Sequence, residues 1–241
     1  MPIAARVGVP SVLLRCSLAL SCIVAPASYA QQVDEDQRGA WYMYFYDTRF
    51  DNSRWGVQGD LQYRDWEIAG DMEQLMLRSG LTYRPERFSG VYTLGIARVT
   101  SGEFGRSSET RYENRIYQEA LLPQRIGSRI YLRHRFRYEQ RWLQGQSFRT
   151  RFRYALFVNV PLNQDSLGQG AWYLSAYNEI FLNGENDIGD DREVDTYDRN
   201  RLYGALGYGV SDSLRLQFGY MHQDTDNFDK GQLQLSLHHN F

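Results

Sequence analysis

The sequence predicts an all-β protein, a transmembrane antiparallel up-and-down β-barrel, from three observations. Apolar and polar residues alternate with a period of two along most of the chain, and clusters of Gly, Asp, Asn, Ser and Pro separate the alternating segments. Most of these segments have nine residues or more, whereas a soluble strand has about five or six and a tilted strand that crosses a bilayer about nine to eleven. No segment shows a helical period.

The first thirty residues have the pattern of a secretory signal peptide. The apolar run at 12–25 follows Arg6, and the small residues Ser28 and Ala30 mark a cleavage site. We therefore expect removal of residues 1–30 and export to the outer membrane of a Gram-negative bacterium. Both cysteines of the chain lie in this leader, so the exported protein would hold no disulfide.

Residues 31–40 follow as a short polar N-terminal segment, and residues 41–241 are predicted to form a single outer-membrane barrel domain. Its eleven alternating segments are 41–49, 55–66, 75–84, 91–99, 113–121, 129–142, 148–160, 172–182, 199–208, 214–223 and 233–241. Bacterial single-chain barrels nearly always have an even number of strands. We therefore expect twelve strands, with ten as the alternative.

Aromatic residues concentrate near the ends of the segments, which is typical of the girdles at the two interfaces of a bilayer. They are Trp41, Trp55, Trp66, Trp142, Trp172 and Tyr220. The last segment places Leu233, Leu235, Leu237, His239 and Phe241 on one face. A terminal aromatic residue in such a strand resembles the signal that bacterial barrel-assembly machinery reads, so Phe241 is the predicted assembly signal.

The direction of the strands assigns each connection to one side of the membrane. With the C-terminus in the periplasm, the connections at 100–111, 183–198 and 224–230 lie outside and those at 85–90 and 209–213 lie in the periplasm. Long outer loops and short periplasmic turns are typical of outer-membrane barrels.

Five stretches of the chain resemble the Gram-negative outer-membrane proteins catalogued as domain of unknown function 2490. They are QLMLRSGLTYR at 74–84, ENRIYQE at 113–119, RHRFRYEQRW at 133–142, YNEIF at 177–181 and RNRLYGALGYGVSDSLRLQFGYMHQ at 199–223. The resemblance spans most of the chain after the leader. It implies an exported barrel, and the family has no agreed activity or binding residues to carry over.

The polar face of the predicted barrel is rich in arginine, although the chain as a whole has 27 Lys and Arg against 29 Asp and Glu. By parity this face holds Arg64, Arg78, Arg84, Arg115, Arg133, Arg135, Arg137, Arg141, Arg149, Arg151, Arg153, Arg199, Arg201 and Arg215. Only Asp60, Glu113, Glu119, Glu139 and Glu179 share it, and other acids such as Asp198 are assigned to outer loops. Neighbouring arginines repel each other, which favours a hydrated interior with mobile anions.

The sequence therefore predicts a passive, anion-preferring pore or a weak binder of small anionic solutes. The predicted anion contacts are Arg133, Arg135, Arg137, Arg141, Arg149, Arg151, Arg153 and Arg201, with Glu113, Glu119, Glu139 and Glu179 as their carboxylate partners. One alternative is a sealed scaffold barrel whose arginines form a salt-bridged plug. Another is a soluble periplasmic ligand-binding β-protein, because the alternation of apolar and polar residues does not show which face of the sheet contacts water.

Other function classes lack the residues they need. None of the four histidines stands at a His-x-Ser spacing, so an enzyme is not expected. His238 and His239 are neighbours on one strand and point to opposite faces, so no metal site and no cofactor is expected. The net charge of −2 argues against nucleic acid as a partner. The expected partners are outer-membrane lipid and lipopolysaccharide, the barrel-assembly machinery and small anions.

Overall fold

The computed structural model describes residues 38–105, 108–225 and 229–241. The predicted signal peptide, its cleavage site and most of the polar segment at 31–40 lie outside these residues. The described part forms β1 (Gly39–Arg49), β2 (Trp55–Asp65), β3 (Met72–Tyr83), β4 (Val91–Gly102), β5 (Thr110–Ile126), β6 (Ile130–Leu143), β7 (Arg149–Pro161), β8 (Trp172–Asn183), β9 (Asp187–Gly189), β10 (Arg192–Glu193), β11 (Tyr197–Gly209), β12 (Leu214–Asp224) and β13 (Asp229–Asn240). A search of these residues for a helix able to span a membrane finds none.

Eleven of these strands close into one barrel in the order β1-β13-β12-β11-β8-β7-β6-β5-β4-β3-β2. Strands that follow each other in this barrel pair in antiparallel fashion, as the short period-two segments and tight connections predict. The remaining two, β9 and β10, form a small hairpin in the connection between β8 and β11. All eleven sequence segments are strands, and only this hairpin was not predicted.

The expected count of twelve strands, or of ten, is wrong. The barrel closes with eleven because β1 and β13 pair in parallel, with Gly39 opposite Gln232 and Asp47 opposite Asn240. An even count follows only when the first and last strands run in opposite directions. The chain therefore enters at one end of the barrel, here called the N-terminal end, and leaves at the other, the C-terminal end.

Loop length does not distinguish the two ends as expected. The N-terminal end carries the connections at 66–71, 103–109, 144–148, 184–196 and 225–228, and the C-terminal end carries those at 50–54, 84–90, 127–129, 162–171 and 210–213. The connections predicted to lie on opposite sides do lie at opposite ends. Each end, however, has one long connection, at 184–196 and at 162–171, so the expected contrast of long loops and short turns is weak.

The pleat separates two chemically different faces. Polar and charged side chains point into the barrel and are mostly buried, while large apolar side chains point outward and are exposed. Two inward glycines make room for aromatic rings on the neighbouring strand: Gly95 lies opposite Tyr117 and Gly207 opposite Tyr173, and a β-carbon at either glycine would overlap the ring.

Two aromatic residues predicted for the girdles lie elsewhere. Trp41 points inward with Met43 on the same face of β1 and is only 3% exposed. Trp66 follows the end of β2, where its Nε1 donates to the carbonyl of Gly102 over 3.4 Å. Trp55, Trp142, Trp172 and Tyr220 are exposed on the outward face.

The C-terminal residue lies just beyond the last strand. The amide of Phe241 donates to the carbonyl of Asp47 over 3.0 Å, and its ring lies 4.7 Å from that of His239. Most of the Phe241 side chain remains exposed at the C-terminal end of the barrel.

Candidate functional site: the barrel interior

The inward side chains surround a cavity of about 440 Å³. Side chains from all eleven barrel strands line it, and most of the charged ones are arginines. Among the residues predicted as anion contacts or partners, those that line it are Arg133, Arg135, Arg137, Arg141, Arg151, Arg153, Arg201, Glu113, Glu119 and Glu179. Arg149 and Glu139 are buried in the wall without reaching the cavity surface.

The arginines of β6 and β7 come together because they occupy alternate positions on both strands and therefore all point into the barrel. Arg137 lies directly opposite Arg153, and Arg141 directly opposite Arg149. On its other side Arg141 faces Arg115 of β5. Like charges in directly opposite positions destabilise a sheet, so this wall of the barrel depends on carboxylates placed between the arginines.

Glu139 is the centre of that compensation. It is 1% exposed, and its two carboxylate oxygens accept from Arg151 at 2.7 Å and from Arg153 at 2.7 Å. Arg115 and Arg137 approach it to 3.8 Å. One carboxylate therefore neutralises part of the charge of four guanidinium groups.

Two further carboxylates extend the network around the wall. Glu179 of β8 accepts from Arg135 at 2.6 Å and from Arg153 at 2.7 Å. Glu119 of β5 accepts from Arg137 Nε at 2.6 Å. Because Arg137 and Arg153 each contact two carboxylates, the strands β5 to β8 share one continuous ion-pair network.

Two smaller groups flank it. Glu113 accepts from Arg115 at 2.7 Å and also from Arg141. On the other side of β4, Asp60 of β2 accepts from Arg78 of β3 at 2.7 Å, and both side chains are about 5% exposed. The Glu113–Arg141 and Asp60–Arg78 bonds join neighbouring strands and cross-link the wall.

At the C-terminal end, Arg133 and Arg215 have no carboxylate oxygen within 4.0 Å among the described residues. The Arg133 guanidinium lies 4.8 Å from the ring centre of Phe157. Arg215 is opposite His238 in the sheet, and the His238 ring stacks on Phe45 at 4.8 Å. The positive charges of Arg133 and Arg215 repel each other across the cavity, so this end is electropositive.

Three arginines at the N-terminal end also lack a carboxylate within 4.0 Å in the described part of the chain: Arg64, Arg149 and Arg201. Arg64 instead donates to the neutral side chains of Gln62 and Gln74, at 2.6 and 2.7 Å. Arg201 donates to Gln223 at 2.8 Å. Amide oxygens satisfy single N–H groups but leave the net charge uncompensated.

The sequence analysis missed two carboxylates of the site, Glu73 of β3, which lines the cavity, and Asp198. Asp198, expected in an outer loop, lies in β11 and accepts from Arg151 at 2.9 Å and from Arg199 at 3.0 Å. The register of β11 against β8 shifts between Tyr197 and Arg199, and this irregularity lets consecutive residues both reach the interior. The clustering of Asp198 beside Arg199 was the only signal.

The interior arrangement suits the binding of anions. Guanidinium groups present several N–H donors and carry a permanent charge. Among the described residues no group of three or more His, Cys, Asp or Glu side chains could hold a metal ion. His134, which points outward, hydrogen bonds to Tyr154 at 2.9 Å, and His238 to Ser236 at 3.0 Å.

Comparison with known proteins identifies one relationship. A family model described as protein of unknown function (DUF2490) matches residues 38–234. No curated protein matches the chain, and no solved structure does.

Proposed function

Since the chain belongs to the DUF2490 family of proteins of unknown function, its function has to be argued from the barrel, and we propose that it is an outer-membrane barrel that binds and passes small anions. The observation that carries this proposal is the excess of arginine over carboxylate around the cavity. Arg133 and Arg215 at one end and Arg64 and Arg201 at the other line the cavity, and no carboxylate of the described residues lies within 4.0 Å of any of them.

The outward face supports insertion into a membrane. Large apolar side chains exposed there include Leu61, Leu77, Leu94, Ile96, Phe136, Phe152, Leu174, Leu202, Leu206 and Phe218. Soluble proteins rarely expose an apolar surface of this extent. Barrel strands of 11 to 17 residues, tilted by about 40°, are long enough for the roughly 25 Å apolar band of such barrels.

Aromatic pairs at both ends of the strands support the same placement. Trp55 packs on Tyr83 at 4.9 Å and Trp172 on Tyr208 at 4.8 Å at the C-terminal end. Trp142 and Phe148 pack at 5.2 Å at the N-terminal end. Rings at these heights are typical of the two membrane interfaces.

Polar residues on the outward face are paired across strands. Asn178 and Asn200 exchange hydrogen bonds of 2.8 and 3.3 Å, and Arg98 donates to Asn114 at 2.8 Å. Mutual satisfaction lowers the cost of placing polar groups beside lipid. These pairs are therefore compatible with a membrane-facing surface.

One observation favours a second candidate, the sealed scaffold barrel. The network around Glu139 is nearly dry, since Arg115, Arg137, Arg151 and Arg153 are each 5% exposed. A continuous ion-pair layer stiffens a barrel and narrows its interior. A conducting barrel then requires that anions pass along the part of the cavity that glutamines line, namely Gln58, Gln62, Gln74, Gln217, Gln223 and Gln234.

The test of conduction is the reversal potential of the refolded protein in a planar bilayer under a salt gradient. We expect stable openings with anion preference, and a shift toward equal permeability in the double variant Arg133→Gln/Arg215→Gln. The matched control is Arg129→Gln/Arg192→Gln, which removes two charges from exposed connections and should keep the preference. An unchanged reversal potential in the first variant would overturn the anion pathway, and a folded but silent barrel would establish the scaffold.

The test of membrane placement uses single cysteines, because the only native cysteines are Cys16 and Cys22 in the predicted leader. Glu193→Cys and Ser166→Cys place a thiol in exposed connections at opposite ends of the barrel. We expect a membrane-impermeant maleimide to label Glu193→Cys on intact cells, and Ser166→Cys only after the outer membrane is permeabilised. Labelling of both in a detergent-free soluble fraction would instead establish a soluble protein.

A further inference from the structure

Trp41 lies between two arginines at the N-terminal end of the cavity. The guanidinium carbon of Arg64 is 3.7 Å from the indole ring centre, and that of Arg201 is 4.9 Å from it. All three side chains are more than nine-tenths buried and line the cavity. Trp41 lies on β1, Arg64 on β2 and Arg201 on β11, so the closure of the barrel brings the three side chains together.

Among the described residues no carboxylate lies within 4.0 Å of Arg64 or Arg201. The two arginines donate to glutamine side chains and repel each other, while Glu179 attracts Arg201 from a greater distance. Glu73, whose charge attracts Arg64, is held instead by Lys230 at 3.3 Å. Cation–π contact with Trp41 offsets part of the cost of burying the two charges, but two buried cations without a carboxylate in contact remain unfavourable.

Two hydrogen-bond donors of the group have no partner. Trp41 Nε1 and Arg64 Nε are both buried, and neither makes a hydrogen bond in the described part of the chain. Buried polar groups are nearly always satisfied, so an unpaired donor in a cavity wall indicates a partner from outside the chain. Both unpaired atoms are donors, and both flanking side chains are cations. An acceptor that carries negative charge would satisfy the two donors and at the same time neutralise the two cations.

We propose that Trp41, Arg64 and Arg201 form a binding site for the oxyanion group of a small solute, a carboxylate, phosphate or sulfate. A planar or tetrahedral oxyanion has enough acceptors to take the Trp41 indole N–H and the guanidinium N–H groups together. The amides of Gln62, Gln74 and Gln223, already turned toward the arginines, surround the site with neutral polar groups. The site deepens the proposed function, because an anion passing through the barrel would dwell here.

The experiment measures the thermal unfolding of the refolded full barrel in detergent, with sulfate, phosphate or acetate exchanged for chloride at constant ionic strength. The oxyanion that raises the melting temperature identifies the class of ligand. We expect Arg201→Gln to abolish this rise. Trp41→Phe, which removes the indole N–H together with its five-membered ring and keeps one aromatic ring, should weaken binding by about tenfold, the value of one charge-assisted hydrogen bond. Arg192→Gln, in an exposed connection, is the control and should retain the full rise.

The outcomes separate this site from the proposed function. An oxyanion effect that survives in both Arg201→Gln and Trp41→Phe, or no oxyanion effect in the wild-type protein, would overturn the site. Anion-selective conductance would then still support the proposed function. If Arg201→Gln does not fold, Trp41→Phe alone decides, because it removes no charge and keeps an aromatic ring in the wall. An oxyanion effect lost in Trp41→Phe in a barrel that never conducts would support the site and overturn the conduit.

Discussion

The arginines of the central network and those at the two ends of the cavity have the same chemistry and opposite surroundings. In the network, Glu139 alone is within 4.0 Å of four guanidinium groups. At the ends, Arg64, Arg133, Arg201 and Arg215 have no carboxylate within that distance in the described residues. Compensated arginines hold strands together, whereas arginines without a carboxylate in contact leave a positive field in the cavity.

This difference assigns separate roles to the two regions. Removing one partner from a buried ion pair is costly because the other charge stays buried, while removing an isolated charge takes away an unfavourable term. Substitutions in the network should therefore change stability, and substitutions at the ends should change anion binding or selectivity. The predictions below test that separation.

The largest effect is expected for Glu139→Gln. The change removes the one carboxylate shared by four arginines and leaves like charges facing each other across β6 and β7. We expect a loss of about 3 to 5 kcal/mol in the free energy of unfolding, the usual range for breaking a buried ion pair. Urea titration of the folded barrel in lipid vesicles measures it. A loss close to that of an exposed pair would mean that the network is hydrated and that the contrast between the regions is false.

Breaking the Asp60–Arg78 pair should lower the free energy of unfolding by less than Glu139→Gln does. A second substitution that removes the other charge should restore most of this loss. Asp60→Asn leaves the buried Arg78 without its carboxylate, which we expect to cost about 2 to 3 kcal/mol, since only one cation is stranded. The double variant Asp60→Leu/Arg78→Met removes both charges and should recover most of that loss. The same urea titration compares the variants. A double variant that is less stable than Asp60→Asn would show that the pair stabilises the barrel through more than mutual neutralisation.

Much of the fold, and the arginine-rich inner face, could be predicted from the sequence. Period-two alternation located all eleven barrel strands and placed the arginines of β6 and β7 on one face, because successive residues of a strand point to opposite sides. Parity also placed Glu113, Glu119, Glu139 and Glu179 on that face. The family match over residues 38–234 confirms the resemblance that the five stretches indicated.

The remainder depends on contacts between strands that are distant in sequence. Parity cannot say which arginine meets a carboxylate, because Arg135 and Glu179 come from β6 and β8, which are not neighbours in the barrel. Closure by a parallel pair of strands leaves no local mark, so the even strand number was wrong. The inward position of Trp41, between two arginines, likewise depends on which strands meet at that closure.

For Arg215→Gln we expect the free energy of unfolding to change by no more than about 1 kcal/mol. The residue lacks a carboxylate partner in the described part of the chain and faces the cavity, so its removal relieves repulsion from Arg133 while losing some packing by its aliphatic stem. Urea titration at low salt should give a free energy of unfolding equal to or slightly above that of the wild-type protein. A loss as large as that of Asp60→Asn would reveal a partner for Arg215 and remove it from the uncompensated group.

The smallest effect on the free energy of unfolding is expected for Arg129→Gln. This variant tests whether an ion pair stabilises the barrel when it is exposed to water. Arg129 and Asp165 form a 2.7 Å ion pair in exposed connections of the C-terminal end, with side chains 54% and 59% exposed. Water and salt screen such a pair, so we expect a loss of at most about 0.5 kcal/mol. The distance matches that of Asp60 and Arg78, also 2.7 Å apart, but the latter pair is buried. Equal losses in Arg129→Gln and Asp60→Asn would mean that distance, and not burial, decides what an arginine contributes to this barrel.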